Sequence, residues 1–318
     1  MSAMTYAQAA CLALQEAMRA DPNVVALGED LGRGGIFGQY RGLPQEFGPG
    51  RIIDTPISEA TIMGAAVGMA LTGLRPVVEM RVVDFALCAI DELVNQAAKN
   101  RFMFGGQGRV PLVARMPIGL WSASAAQHSQ SLEAWFAHIP GLVVVTPATP
   151  ADNYGLLKAA LESGDPVVYM EHKELWGVEG EVAPGVETRL GSARVVVEGT
   201  DLTIVTWSRS VHDCAAAAAQ LAKDGISVEL IDLRTLWPWD RERVLRSAAK
   251  TGRLLVVHEA VQVAGFGAEI AATVAEQLGV RVRRLGAPRI PAGYAQPLEN
   301  ESRIDAAKIA AAARAFLG

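Results

Sequence analysis

Cysteine is scarce in this chain of 318 residues: Cys11, Cys88 and Cys214 are odd in number and far apart. That excludes a disulfide framework and a thiolate metal cluster, and the three read as small hydrophobes of a reducing compartment. Positive charge is also in short supply, with 29 Lys and Arg against 34 Asp and Glu and a net charge of −5. No basic run interleaves with aromatics, so nothing favours nucleic acid as a partner. No apolar run reaches the ~18 residues of a membrane-spanning helix. Met1-Ser-Ala-Met-Thr-Tyr6 lacks both a charged n-region and an apolar h-region. No signal peptide is therefore expected, and the expected location is cytoplasmic. The five histidines show no metal-ligand spacing. Gly265-Phe-Gly267 lacks the third glycine of a dinucleotide loop, since Ile270 stands there, and reads as close helix–strand packing.

What the chain has is apolar residues, half of the total. That is enough for a large core and for surface buried against other subunits. The length suggests about two domains. Short apolar runs alternate with amphipathic stretches, the pattern of parallel α/β architecture. Strands are expected at Val24–Leu27, Pro76–Met80, Pro111–Arg115, Leu142–Thr146 and Val167–Glu171, with helices at Thr5–Arg19, Glu59–Leu71, Phe85–Asn100 and Pro150–Ser163. The Gly-, Pro- and Glu-rich stretch after Trp176 reads as a linker. A second α/β unit follows, with strands at Thr203–Trp207, Ser227–Asp232, Leu254–His258 and Arg281–Leu285. The expected division is 1–178, a linker at 179–199, and 200–318.

The most informative stretch is Arg51-Ile-Ile-Asp-Thr-Pro-Ile-Ser-Glu59, which runs into a helix of small residues containing Gly64 and Gly68. Ser58 reads as the N-cap, with Glu59 in the first turn, where a carboxylate also complements the helix dipole. The phrase resembles the beta subunit of thiamine-diphosphate-dependent 2-oxo acid dehydrogenases. The resemblance extends over the whole chain, through Val25-Ala-Leu-Gly-Glu29-Asp30, Asp91–Lys99, Ala126-Gln-His-Ser-Gln130, Pro140–Pro147, Ile231–Thr235 and Val257-His-Glu259. It implies two parallel-sheet α/β domains, a transketolase-like pyrimidine-binding domain and a transketolase C-terminal domain.

The resemblance also implies roles for individual residues. Glu59 would hydrogen-bond the pyrimidine ring of thiamine diphosphate, with Glu29 beside the cofactor and Phe85 against the ring. A carboxyl in a dry pocket has its pKa raised, which suits it to donate a proton there. His128 would protonate the departing sulfur of lipoamide as the acyl group moves from a hydroxyalkyl-thiamine intermediate. Without the flanking match, His128 reads as a hydrogen-bonded histidine at a helix start, and Phe85 as core. Trp121 departs from the usual glycine-rich loop and bears on pocket size. A potassium ion is implied at the turn of Ala160, Leu161, Ser163 and Asp165 with the carbonyl of Leu112; an ordinary turn without an ion is the alternative.

The Gly-Asp-Gly…Asn motif that holds magnesium and the diphosphate is missing, because the one Gly-Asp, Gly164-Asp165, is followed by Pro166. An alpha subunit is therefore expected to hold that end, in an alpha2beta2 heterotetramer serving a lipoyl-bearing acyltransferase core. Val83–Gly106 and Glu171–Lys173 look most like the acetoin dehydrogenase branch, with the pyruvate and branched-chain 2-oxo acid enzymes as alternatives. Half of a split transketolase or deoxyxylulose-phosphate synthase is another enzyme reading. A non-catalytic nucleotide-binding electron-transfer subunit is the alternative of another class, and leaves Ala126–Gln130 unexplained.

Overall fold

Short β-branched runs covered on both faces form the sheet of the first unit. The structure is a computed structural model that describes residues 2–186 and 188–318. The chain divides into two units, residues 2–118 with 135–190, and residues 119–134 with 191–318. The first unit contains β1 (Ser2–Thr5), α1 (Tyr6–Ala20), β2 (Val24–Gly28), α2 (Leu43–Phe47), β3 (Ile52–Asp54), α3 (Glu59–Leu71), β4 (Arg75–Glu79), α4 (Ala98–Met103) and β5 (Val113–Arg115). After α5 (Glu133–Ala137) come β6 (Val143–Val145), α6 (Pro150–Glu162), β7 (Val167–Tyr169) and β8 (Glu179–Val182).

Six strands of this unit are parallel and run in the order β6-β7-β5-β4-β2-β3. The chain steps from β2 outward to β3, then returns to the other side of β2 at β4. That reversal lies beside β2, and in open α/β sheets ligands bind at the carboxyl ends of the strands at such a point. A capping box starts α1: the Thr5 hydroxyl accepts from Gln8 N–H, and Thr5 N–H donates to Gln8 Oε1 at 2.8 Å. The buried face of α1 (Ala10, Ala13, Leu14) joins Leu156, Leu157 and Ala160 of α6 in one core. Each such leucine contributes about 1.5–3 kcal/mol by leaving water.

Two stretches differ from their expected form. The helix expected over Phe85–Asn100 is a tight 3₁₀ turn at Val83–Ala89, a π segment at Glu92–Ala97, and only then α4. Val83 N–H donates to the Pro117 carbonyl at 2.9 Å, which ties the start of the 3₁₀ turn to the continuation of β5. The stretch expected to be a linker contains β8, which pairs antiparallel with β1 from Ser2↔Val182 to Thr5↔Glu179.

The second unit holds β9 (Arg194–Val197), β10 (Leu202–Thr206), α7 (Ser210–Lys223), β11 (Val228–Asp232), β12 (Thr235–Trp237), α8 (Arg241–Thr251), β13 (Arg253–Val261), α9 (Gly267–Leu278), β14 (Arg281–Ala287), α10 (Gln296–Ser302) and α11 (Ala306–Leu317). Its sheet runs β14-β13-β10-β11-β9, parallel except for β9 at the edge. Leu202, Ile204, Leu230, Leu255 and Val257 pack under Cys214 and Leu221 of α7 and Ile309 and Ala313 of α11. No described helix is long and apolar enough to cross a membrane.

Candidate active site

Glu29, Glu59 and Phe85 all follow the carboxyl ends of adjacent strands of the first unit. Gly28 ends β2 and pairs with Asp54 of β3 on one side and Glu79 of β4 on the other. Glu29 is the next residue after Gly28, Glu59 opens α3 five residues after Asp54, and Phe85 lies in the turn after β4. That turn packs against α3. Ser58 occupies the N-cap of α3, but its hydroxyl binds the Thr61 hydroxyl at 2.8 Å rather than a backbone N–H. Glu59 is therefore the acid of the first turn, half-buried at the positive end of the helix. Gly68 faces open space, so the exposed side of α3 is nearly bare.

Electrostatics link these carboxyls. Burial pushes Glu29 above the usual carboxylate range; the Arg81 guanidinium opposes that, while the Glu59 and Asp30 carboxylates add to it. Arg81 also pairs with Asp30, fixing the chain beyond Glu29. Leu31 N–H donates to Asp54 Oδ1 at 3.0 Å, tying that loop to the end of β3.

Near the same strand ends lies a charge network. Arg115 is fully buried and makes two 2.9 Å bonds to Glu171, while its other nitrogen stands 3.4 Å from Glu79. Gln39 and the Tyr40 hydroxyl donate to Glu79 at 3.1 and 3.0 Å, and Asn153 donates to Glu171 at 2.9 Å. Burial pushes Glu79 up to about 7 against the pull of Arg115. Gly28 passes so close that a Cβ there would lie 2.5 Å from the Glu79 carbonyl. The network thus holds the 35–40 loop and the end of β4 around the strand that presents Glu29. Its signal in the sequence is an isolated charge closing each apolar run, as in Val77-Val-Glu79 and Val113-Ala-Arg115.

The residues of the implied potassium turn come together in the first unit, and their carbonyls already have donors. Arg75 donates through Nε to the Leu161 carbonyl and through its terminal nitrogen to Ser163, each at 3.0 Å. Leu112 accepts from Val167 N–H at 2.9 Å, Ala160 from Ser163 N–H at 3.2 Å, and the Asp165 carbonyl from the Ser163 hydroxyl at 3.0 Å. A guanidinium already places positive charge at two of these oxygens, which opposes a second cation. This set does not fit potassium. Among the described residues no His, Cys, Asp and Glu cluster could hold a metal.

His128 belongs to the second unit, as part of 119–134. Gly119 N–H donates to the Gln130 carbonyl at 3.1 Å, closing a loop of the Ω type. Inside it, Ser124 N–H reaches the Trp121 carbonyl at 3.1 Å. Ser122, Ala123 and Ala125 have φ of +52°, +53° and +66°, left-handed values that cost L-residues roughly 1–2 kcal/mol each. Leu120 N–H donates to Glu259 Oε1 and Ala123 N–H to Glu299 Oε2, both at 2.8 Å. His128 and Trp121 are exposed on this loop.

Both units match known domains. Residues 2–178 match the transketolase pyrimidine-binding domain, and residues 191–309 the transketolase C-terminal domain. The chain belongs to the transketolase family. It is 43% identical to the beta subunit of acetoin:2,6-dichlorophenolindophenol oxidoreductase from Cupriavidus necator, over 95% of this chain and 94% of that one. It is 41% identical to the 2-oxoisovalerate dehydrogenase beta subunit of Bacillus subtilis, over 99% and 98%. A solved split-gene transketolase, an inactive beta4 tetramer, superposes with a TM-score of 0.82 at 24% identity, covering 99% of this chain and 98% of that one, and shares the fold.

Proposed function

We propose that this chain is the beta subunit of a thiamine-diphosphate-dependent dehydrogenase that passes an acyl group to lipoamide. The observation that carries the proposal is the pair Glu29 and Glu59 at the sheet's reversal point, in a chain 43% identical to an oxidoreductase beta subunit. Two neighbouring carboxyls, one of them held above its usual range by burial, suit a site where a carboxyl takes part in proton transfer. When bound, thiamine diphosphate supplies a thiazolium carbon nucleophile. Glu59 would hold and move a proton at the pyrimidine ring nitrogen, and the Phe85 ring would lie against the pyrimidine. His128 would deliver a proton to the sulfur released as the lipoyl disulfide opens. An alpha subunit would hold magnesium and the diphosphate, in an alpha2beta2 assembly serving a lipoyl-bearing acyltransferase core.

Acetoin is the preferred substrate reading, supported by the acetoin-like stretches between Val83 and Gly106 and by the Cupriavidus relative. The branched-chain alternative is supported by the Bacillus relative, and pyruvate is the third candidate. The substrates differ in the fragment released, acetaldehyde or carbon dioxide, and Glu59 and His128 serve either. Trp121 would narrow the pocket, where one methylene shifts discrimination by ~1–3 kcal/mol.

The test is reconstitution with the alpha partner. Glu59→Gln should assemble yet slow hydrogen–deuterium exchange at the thiazolium carbon by ~100- to 10,000-fold. Wild-type exchange in that variant would remove Glu59 from the mechanism. In the same preparation, higher kcat/KM for a 2-oxo acid than for acetoin, with an artificial acceptor, would move the substrate to that branch.

A further inference from the structure

We infer that Glu259 and Glu299 are positioning residues for acyl transfer, holding the Gly119–Gln130 loop in the one conformation that presents His128. The inference rests on the role proposed for His128.

The loop needs holding. Three of its non-glycine residues sit in the left-handed region. The backbone bond from His128 N–H to the Ala125 carbonyl is long, at 3.4 Å. Two side chains distant in sequence hold that geometry. Glu259 on β13 binds the loop's entry at Leu120, and Glu299 on α10 binds its middle at Ala123. A carboxylate accepting from a backbone N–H is a charge-assisted bond, stronger than the neutral bonds within the loop.

Glu299 is itself fixed. It is fully buried, and its other oxygen accepts from Gln296 Nε2 and from Arg303, each at 3.0 Å. Glu133, beyond the loop's exit, accepts from the Trp207 indole N–H at 2.9 Å. The loop is thus pinned at its start and its midpoint, and the chain is pinned again just after it. The two carboxylate bonds bracket Trp121 and Ser122, so the same clamp sets the backbone that carries the loop's one tryptophan. A preformed loop suits proton delivery, because misplacing a catalytic group by about 1 Å can cost ~100-fold in rate.

The test uses the chain reconstituted with its alpha partner and a lipoyl-bearing domain. Each variant is assayed twice, by acylation of the lipoyl domain and by turnover with an artificial acceptor. Glu259→Ala and Glu299→Ala should lower acylation at least tenfold more than they lower artificial-acceptor turnover. Glu259→Gln and Glu299→Gln keep a carbonyl acceptor and should recover most of the loss. Glu259→Ala combined with His128→Ala should acylate no more slowly than His128→Ala alone, as expected of groups acting as a unit. Equal losses in both assays, additive losses in the double variant, or no rescue by glutamine would overturn the inference. If Glu299→Ala fails to fold, the Glu259 series decides alone. Acylation lost in His128→Ala but kept in Glu259→Ala overturns this inference only. Acylation kept in His128→Ala overturns both it and the role proposed for His128.

Discussion

His258 is a fully buried imidazole, stacked on Trp207 with ring centroids 5.2 Å apart. Its Nδ1 lies 2.9 Å from the Ala260 carbonyl, so Nδ1 carries the proton, and the buried Nε2 has no partner among the described residues. A proton added at Nε2 would be buried without an acceptor, and burial holds the folded-state pKa down at about 4. Between pH 6.5 and 4 the unfolded chain therefore binds a proton that the folded chain refuses. Stability is lost as pH falls through that window, by about 3 kcal/mol. Glu79 acts in the opposite sense. Its folded-state value of about 7 lies above the ordinary 4.5, so the folded form binds more protons and stability falls as pH rises through that range. The two slopes overlap, and only a difference measurement separates them. His258→Gln should flatten the acid side of the urea-melt stability profile relative to wild type, and parallel profiles would place the loss elsewhere. The lack of metal-ligand spacing around His258 was legible in the sequence, but its stacking partner, 51 positions earlier, was not.

Among the elements, α3 was the most legible: Glu59–Leu71 is its extent both in the sequence reading and in the structure, because the Ser-Glu start and small apolar residues leave no competing pattern. The π segment at Glu92–Ala97 was not legible, since the apolar periodicity of a single helical turn carries no trace of it. β8 was missed for a related reason. Glu-Gly-Glu-Val is polar and short, and reads as strand only once β1 is beside it. The turn leading into β6 makes a sharper demand. Gly141 has φ +102°, and a Cβ there would come 2.0 Å from the Ala98 carbonyl of α4. Both the dihedral and the contact exclude a side chain, so Gly141→Ala should destabilise the first unit by roughly 3 kcal/mol or more. A shift in the chemical-denaturation midpoint below what ~1 kcal/mol produces would show that the turn relaxes away from α4.

For the whole molecule, the family and the division into two α/β units were legible in the sequence. The assignment of 119–134 to the second unit was not legible, because the bonds that hold it there join residues 139 and 176 positions apart. Nor was the Glu79–Arg115–Glu171 network legible, since its members come from the ends of β4 and β5 and from the chain just past β7. Large apolar side chains stand exposed at Phe102, Met103 and Phe104, with exposures of 90, 70 and 58%, and Ile57 at 78%. Surface of that kind suits a chain that works in an assembly. If the proposed split of the cofactor is right, calorimetry with magnesium and thiamine diphosphate should show saturable binding only once the alpha partner is added. Tight binding to the lone chain would overturn that split.

The pairing of β1 with β8 bears on how the first unit can be cut out and studied alone. The match to the pyrimidine-binding domain ends at residue 178, one residue before β8 begins. A fragment cut there would leave Ser2–Thr5 as a bare edge strand, free to recruit another chain and aggregate. A fragment extended past Val182 keeps its own edge covered, and with it the Thr5 cap from which α1 starts.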